Sequence, residues 1–492
     1  MTLRAQDLRP DRKFLLCLAA GIVILAIAAG VRILGALNDL WLDEISSLRL
    51  VQMISSPLAV FTGIHHDNNQ YLNSLCLYFF GPHGNWPGYR IPSLVAGIGT
   101  VALAWLIGRR RNITCAFFAM LLLGFSYVMV LYSSEARDYA ALVFFSFLSF
   151  YTLDLHLEKP RWQTACLLSF SETMGFISHV TFFYFFCAVV VWSGWRFARS
   201  NPGCKRVLTS MLACHALPLL VLGLLYFVDV RMVVVSGGTQ SSLLKVYADS
   251  LAWTLGSPAG LPVPATALLA AAMFGAGLWM LRRERSDLPV FFGGIMVFPV
   301  LMIMIIVEQF EFAYVRYFLV SMAFLLILIS FLLARLYQRS PVGKGICLLF
   351  LAAYFLVNGW HMMTLFRDGR GHYVEAARFM AEHTKGSLVT IGSGQDLRFS
   401  VVLEFYTPEA MANKSVVYYP INSWPREGPE WVIFDKESLE DPVTSLTQFA
   451  DAAGNQYELV KVFPTAPLSG LHWFVYHNCA NKPYHEPAPT GQ

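Results

Sequence analysis

Charge is what this chain has little of. Only 14% of its 492 residues are Asp, Glu, Lys or Arg, where a soluble domain carries roughly a quarter. The deficit is concentrated in long runs with no charge at all, which a bilayer solvates and water does not. An ordinary soluble enzyme is thereby excluded. Cysteine pairs are also missing. None of the nine cysteines forms a CxxC pair, and only Cys479 follows the last apolar run, so no disulfide can form within the tail. The cysteines read as small core hydrophobes. A cleavage site is missing as well. The apolar run 14–31 follows Arg4, Arg9, Arg12 and Lys13 with no convincing small-residue cleavage motif, so it reads as a retained signal anchor.

What is present is a series of apolar segments. A span needs about 20 apolar residues, and candidates lie near 14–35, 91–108, 113–131, 140–155, 164–178, 180–195, 208–228, 263–281, 289–307, 316–336 and 345–364. The fold expected is an α-helical polytopic membrane protein of about eleven spans. The stretch 71–81 is apolar but too short to cross, which suits an interfacial segment. Basic residues alternate between the two sets of loops. One set gathers Arg109–Arg111, Lys159, Arg161, Arg196, Arg199, Lys205, Arg206, Arg282, Arg283, Arg285, Arg335, Arg339 and Lys344 besides the N-terminal cluster. The other has only Arg32, Arg49, Arg90, Arg137, Arg231, Lys245 and Arg316. The positive-inside rule then places the N-terminus in the cytoplasm and the tail outside. The expected division is a membrane domain over 1–365, with a first outer loop at 36–90, and an extracytoplasmic α/β domain over 366–492. Tyr373–Thr384 has helical spacing in that tail, while Ser387–Ile391, Trp431–Phe434, Tyr457–Val462 and Trp473–Tyr476 read as strands.

Polar residues collect on the side where basic residues are scarce. The first loop opens with Trp41-Leu42-Asp43-Glu44. Two adjacent carboxylates at a membrane face need solvation or a partner. Either they sit in a solvated loop with Asp43 capping a helix, or they work on a hydroxyl whose proton a carboxylate can accept. The same loop carries His65-His66-Asp67-Asn68-Asn69-Gln70, a set suited to hydroxyl recognition. His66, Asp67 and Asn68 are its acceptor-site candidates. A divalent cation held with Asp43 stays open, although the spacing matches no defined metal motif and no metal ligands are assigned. A second cluster, Tyr132-Ser133-Ser134-Glu135-Ala136-Arg137-Asp138-Tyr139, occupies a short turn between two spans. Arg137 either clamps Glu135 or Asp138, or meets a phosphate in bidentate geometry. His179 sits at a tight turn on the same side. Arg316-Tyr317 opens a later span, with Arg316 either paired to Glu311 or facing a phosphate. The loop 229–262 is long enough to cover a groove.

These motifs in this order resemble the GT-C membrane glycosyltransferases. More narrowly, they resemble the bacterial relatives of the protein O-mannosyltransferases (family 39) and its aminoarabinose- and galacturonic-acid-transferring cousins. The resemblance rests on Trp41-Leu42-Asp43-Glu44, on Phe80-Gly81-Pro82 through Tyr89-Arg90-Ile91-Pro92-Ser93, on the Tyr132–Tyr139 cluster, on Ser178-His179 and on Arg316-Tyr317. It spans most of 14–340. It departs at Asn68-Asn69-Gln70-Tyr71-Leu72, where the family often has Pro-Pro-Leu-Tyr, and at Val180, where it has Tyr. The resemblance implies inverting transfer of a sugar from a polyprenyl-phosphate donor to a hydroxyl acceptor on the outer face of a bacterial inner membrane. Asp43 and Glu44 would be catalytic. Arg137, Glu135, Arg316, Tyr317, His179 and Arg90 would bind the donor phosphate and sugar. The partners implied are the lipid-linked donor, the acceptor and the bilayer, with no nucleic acid. A transporter or flippase of a lipid-linked or anionic substrate is the rival reading, and a membrane-anchored binding protein is a third.

Overall fold

The computed structural model describes residues 12–81, 86–200, 203–234, 241–258, 260–306, 313–436 and 446–481. Arg4, Arg9, Pro82, Glu308, Gln309 and Glu311, used in the sequence reading, lie outside the described residues. In chain order come α1 (Arg12–Gly35), α2 (Leu42–Gln52), α3 (Ala59–Thr62), α4 (Tyr71–Phe80), α5 (Trp86–Tyr89), α6 (Ile91–Arg109), α7 (Ile113–Gly124), α8 (Tyr127–Ser133), α9 (Tyr139–Glu158), α10 (Trp162–Ser178), α11 (Phe182–Ser200), α12 (Cys204–Val228), α13 (Leu243–Thr254), α14 (Val263–Arg283), α15 (Leu288–Ile306), α16 (Leu319–Arg339) and α17 (Pro341–Asp368). Then follow α18 (Tyr373–His383), β1 (Leu388–Ser393), α19 (Asp396–Ala410), β2 (Ser415–Tyr419), β3 (Trp431–Lys436), β4 (Gln448–Ala450), β5 (Gln456–Phe463) and β6 (His472–Asn478). The chain divides into two compact units. One is Met1–Ala36, Val51–His83 and Gly88–Trp360; the other is Leu37–Leu50, Gly84–Pro87 and His361–Gln492.

The first unit is an integral membrane helix bundle. Each segment expected to cross is mostly helical over its described residues, with a break at Phe125 and Ser126 in 113–131 and with helix starting only at Phe182 in 180–195. Among these residues eight helices are long and apolar enough to span, and α7 with α8, bent by 62° at their junction, makes a ninth. The 17-residue α10 and α11, which ends with Arg196 and Arg199, fall outside that class. The stretch read as a loop before 262 contains α13, started by Ser242, whose side chain accepts from the Lys245 amide. The centre of the bundle is α16, whose most apolar window is 89% buried, against 11% for α1. Phe324 of α16 packs on Phe147, Phe150, Phe185 and Phe291 with ring centroids 4.7–5.6 Å apart. Interlocked aromatics supply the packing that holds helices together in lipid, where burial alone gives no drive.

The α7–α8 bend would leave backbone groups orphaned inside the membrane, which costs several kcal/mol each. Four side chains meet them. Arg32 of α1 donates to the carbonyls of Gly124 (2.9 Å) and Leu123 (3.1 Å), and Tyr354 of α17 donates to Leu122 (2.9 Å). Asn358 accepts from the Tyr127 amide (2.8 Å), and Ser126 caps α8. Arg32 thus belongs to the helix break, although its position in the sequence grouped it with exposed basic residues.

The second unit is a six-stranded mixed sheet in the order β2-β1-β3-β6-β5-β4. β1 is parallel to β2 and β3, and the remaining pairs are antiparallel. The α19 crossover follows from the parallel β1–β2 pair, which cannot be joined by a hairpin. Within this unit α17 ends at Gly369, whose φ of 60° is the left-handed conformation that glycine adopts without a Cβ penalty. The segment 37–50 is packed into this unit. Asp39 accepts from the free Val374 amide at the start of α18 (3.0 Å), the Tyr406 hydroxyl donates to the Leu40 carbonyl (2.8 Å), and Arg49 pairs with Glu404 (3.0 Å).

Candidate active site

In the helical unit the site is built from the turn before α9. Asp138 is buried, and its carboxylate accepts from the Asn73 amide (2.7 Å) while its own amide donates to Gln70 Oε1 (2.6 Å). Asn73 Nδ2 donates to the Ala136 carbonyl (2.8 Å), and Ser93 Oγ donates to the Arg137 carbonyl (2.8 Å). These bonds stitch the turn to the start of α4 and to α6. Burial pushes the Asp138 carboxyl well above the ordinary carboxylate range, against the pull of the Asn73 and Leu72 amides and Arg137. Asp138 therefore serves as a hydrogen-bonding anchor for the turn.

Arg137, itself 3% exposed, projects from that anchored turn. Its Nη2 donates to Asn68 Oδ1 (3.1 Å), and its guanidinium lies 5.1 Å from the Tyr139 ring centre. The loop that presents Asn68 is held from below. Asn69 Nδ2 donates to the carbonyls of Val60 (2.8 Å) and Ile64 (2.9 Å), and the Asp67 amide donates to the Val234 carbonyl (3.3 Å). His66 Nδ1 lies 2.9 Å from Asp67 Oδ1 and accepts from the Asn68 amide (3.1 Å). The His66–Asn68 segment and Arg137, drawn from separate sequence clusters, therefore meet.

His179 packs its ring on Tyr139 at 5.1 Å. Its Nδ1 accepts from the Thr181 amide (3.2 Å) and lies 2.8 Å from the Thr181 hydroxyl. An amide can only donate, so Nδ1 is the acceptor and the ring proton belongs on Nε2. Desolvation, then the positive charges of Arg137 and Arg316, push the His179 pKa down to about 3. Both arginines thus act on one imidazole, although α16 begins far along the chain from the Arg137 turn. The half-buried Arg316 rides 4.4 Å from the Tyr314 ring, and Tyr317 lies within electrostatic reach of both guanidiniums. Glu135 is buried in the same turn. Arg90 is fully buried and donates to the Ala36 carbonyl (2.8 Å), so it closes the end of α1.

In the other unit Asp43 and Glu44 occupy the first turn of α2, where the helix dipole favours negative charge. Glu44 is buried, and its carboxylate accepts from the Trp41 amide (3.1 Å), half of a capping box. Asp43 is half-buried. Both carboxylates act electrostatically on Tyr373 of α18, as do Asp39 and Asp435. Among the described residues no three His, Cys, Asp or Glu side chains cluster as metal ligands.

Sequence reasoning missed Asp229. It is 1% exposed at the end of α12, and it holds His65 Nδ1 (2.6 Å) and the Tyr71 hydroxyl (2.6 Å) at the two ends of the first-loop polar run. A lone acid directly after a long uncharged span was the available signal.

Residues 69–231 match the family model described as dolichyl-phosphate-mannose-protein mannosyltransferase. Among solved structures, the chain is similar to ArnT from Cupriavidus metallidurans in the apo state, with 12% identity, 95% of this chain and 100% of that chain covered, and a TM-score of 0.49. It is similar to the same protein bound to undecaprenyl phosphate, at 12% identity, 94% and 97% coverage and a TM-score of 0.47. It is also similar to the Archaeoglobus fulgidus oligosaccharyltransferase in complex with Zn and sulfate, at 11% identity, 84% and 68% coverage and a TM-score of 0.45. No curated protein matches the chain.

Proposed function

We propose that this protein is an inverting glycosyltransferase that moves a sugar from a polyprenyl-phosphate donor to a hydroxyl acceptor at the outer face of a bacterial inner membrane. The observation that carries the reading is Arg137 bonded to Asn68 and set on the Tyr139 ring, on which His179 also packs, with Arg316 within electrostatic reach of that imidazole. The family match over 69–231 supports it, because that segment contains the Arg137 turn and His179. Positive charge held in a part-buried setting suits a phosphate at headgroup depth. The same charge stabilises that phosphate as it leaves.

In the proposed reaction the acceptor oxygen attacks the anomeric carbon. The carbon–oxygen bond to phosphate breaks, and polyprenyl phosphate departs with the electron pair. The acceptor proton goes to Asp43, with Glu44 fixing the helix turn that carries it. A single displacement inverts the anomeric centre and needs one base. Arg137 and Arg316 hold the phosphate, and His179 adds a neutral Nε2–H donor. Tyr317 and Glu135 belong to the donor sugar subsite, and His66, Asp67 and Asn68 border the acceptor. Arg90 keeps its structural place at the end of α1.

The test uses the full-length protein in vesicles with a radiolabelled polyprenyl-phosphate sugar. Asp43→Asn should lower transfer by about a thousandfold, within the range of a lost general base, while donor binding stays intact. Normal turnover by a correctly inserted Asp43→Asn protein overturns the assignment. Movement of label across the membrane without release of polyprenyl phosphate would instead favour the transporter reading.

A further inference from the structure

A polar cavity of about 470 Å³ lies at the opposite end of the helices from Arg137. It sits among the α6–α7 and α14–α15 turns and the ends of α9, α11 and α16, so it lies at membrane-surface depth. Its volume suits a small ligand or a headgroup. Four arginines and four carboxylates line it, and most of that charge is already matched. Arg110 pairs with Asp154 and with Glu158 (3.1 Å), Arg111 with Glu284 (3.1 Å), and Arg196 with Asp287 (2.6 Å). Every lining carboxylate is engaged by an arginine, which leaves none for a metal ion or a cationic ligand.

Arg335 is the remaining cation. It is exposed at the cavity, and among the described residues no carboxylate lies within 4 Å of it. It stands one helical turn beyond Phe331, whose ring carries the Arg111 guanidinium at 4.5 Å. Residues four apart share a helix face, so two guanidiniums address the same wall of the cavity. An anion could reach Arg335 without breaking an ion pair, and guanidiniums favour phosphate oxygens.

We propose that this cavity binds a phosphate-bearing ligand through Arg335 and Arg111, as a site separate from the sugar-transfer site. A phospholipid headgroup and a free phosphate ester share that chemistry, and the experiment separates them. The full-length protein is purified in a detergent without phosphate, then given phosphatidylglycerol or inorganic phosphate. Lipid retention is read by native mass spectrometry and phosphate binding by the shift in melting temperature. Arg335→Gln should lower the affinity of the effective ligand about tenfold, the scale of one charge-assisted hydrogen bond, and Arg335→Lys should keep most of it. Arg335 makes no ion pair among the described residues, so an unchanged melting temperature without ligand verifies that Arg335→Gln is folded. A loss confined to lipid supports a headgroup, and a loss confined to inorganic phosphate supports a soluble ester. Equal binding of both by wild type and Arg335→Gln overturns the proposal. So does lipid retention that falls in Arg137→Ala but not in Arg335→Gln.

Discussion

The two ends of the helical unit use arginine differently. At the Arg111 end, guanidiniums from separate helices are matched one by one with carboxylates across helix ends. At the Arg137 end, guanidiniums are set against an amide oxygen and aromatic rings, around a neutral imidazole. Between them lies a third use, seen in Arg32, whose charge is spread over two carbonyls of a bent span and one of its own helix. A guanidinium on a ring gains a cation–π contact, whereas one in a part-exposed ion pair gains little net energy from its carboxylate. On the reading proposed above, Arg137 and Arg316 form a chemical class, and Arg32 with the ion-paired arginines forms an architectural one.

The largest effect should come from the architectural class. Arg32→Met removes two charge-assisted bonds at the α7–α8 bend and a third to the Ala28 carbonyl of its own helix. Interhelical hydrogen bonds in membranes average well under the value expected from burial, so the loss should be about 2–3 kcal/mol in all. Arg111→Gln, which loses one part-exposed pair with Glu284, should cost only about 0.5 kcal/mol. Melting in detergent would compare the two. Equal losses would erase the distinction between a bent span and a surface clasp.

Next comes the chemical class. Arg137→Ala should raise the donor concentration needed for half-maximal transfer by about tenfold to a hundredfold, the cost of lost charge-assisted hydrogen bonds. Its effect on melting temperature should be smaller than that of Arg32→Met. Arg137→Lys keeps the charge but not the fork, and should recover only part of the loss. Unchanged donor use in Arg137→Ala would remove phosphate binding from this end of the bundle.

Much of this arrangement was legible in the sequence, and the exceptions have physical causes. The spans announced themselves through charge-free runs, and the Arg137 turn through its polar density. The α18 helix and strands β1, β3, β5 and β6 showed their periodicity. The α19 helix did not, because Val401, Val402 and Pro408 blur its pattern, although Phe399, Val402, Leu403 and Tyr406 form its buried face. β2 escaped notice as a half-exposed edge strand. Arg90 and Arg137 look alike in sequence, each a lone basic residue at the start of a span. Only the carbonyl of Ala36 reveals that Arg90 closes a helix. Glu44 reads beside Asp43 as a second carboxylate of the site, and its bond to the Trp41 amide adds a capping role that adjacency alone does not show. Asp229 was marked only by its place after a long uncharged span, and nothing local to it named His65 and Tyr71 as its partners.

The smallest effect concerns pH, and it probes whether the imidazole at the Arg137 end is neutral. With its pKa pushed down to about 3, His179 stays uncharged throughout the range from pH 5 to 8. In the unfolded chain a histidine takes up a proton near pH 6.5. Below that pH the unfolded state therefore binds a proton that the folded state refuses, so His179 withdraws stability as pH falls from 6.5 toward 3. His179→Gln should flatten the decline in melting temperature between pH 7 and pH 5. It should also lower transfer only about threefold, the scale of one neutral hydrogen bond, without moving any inflection in the pH–rate profile. If His179→Gln deletes an inflection near pH 6, the ring titrates in the folded protein. The two arginines would then not be crowding it, and the contrast between the two ends of the bundle would lose its electrostatic basis.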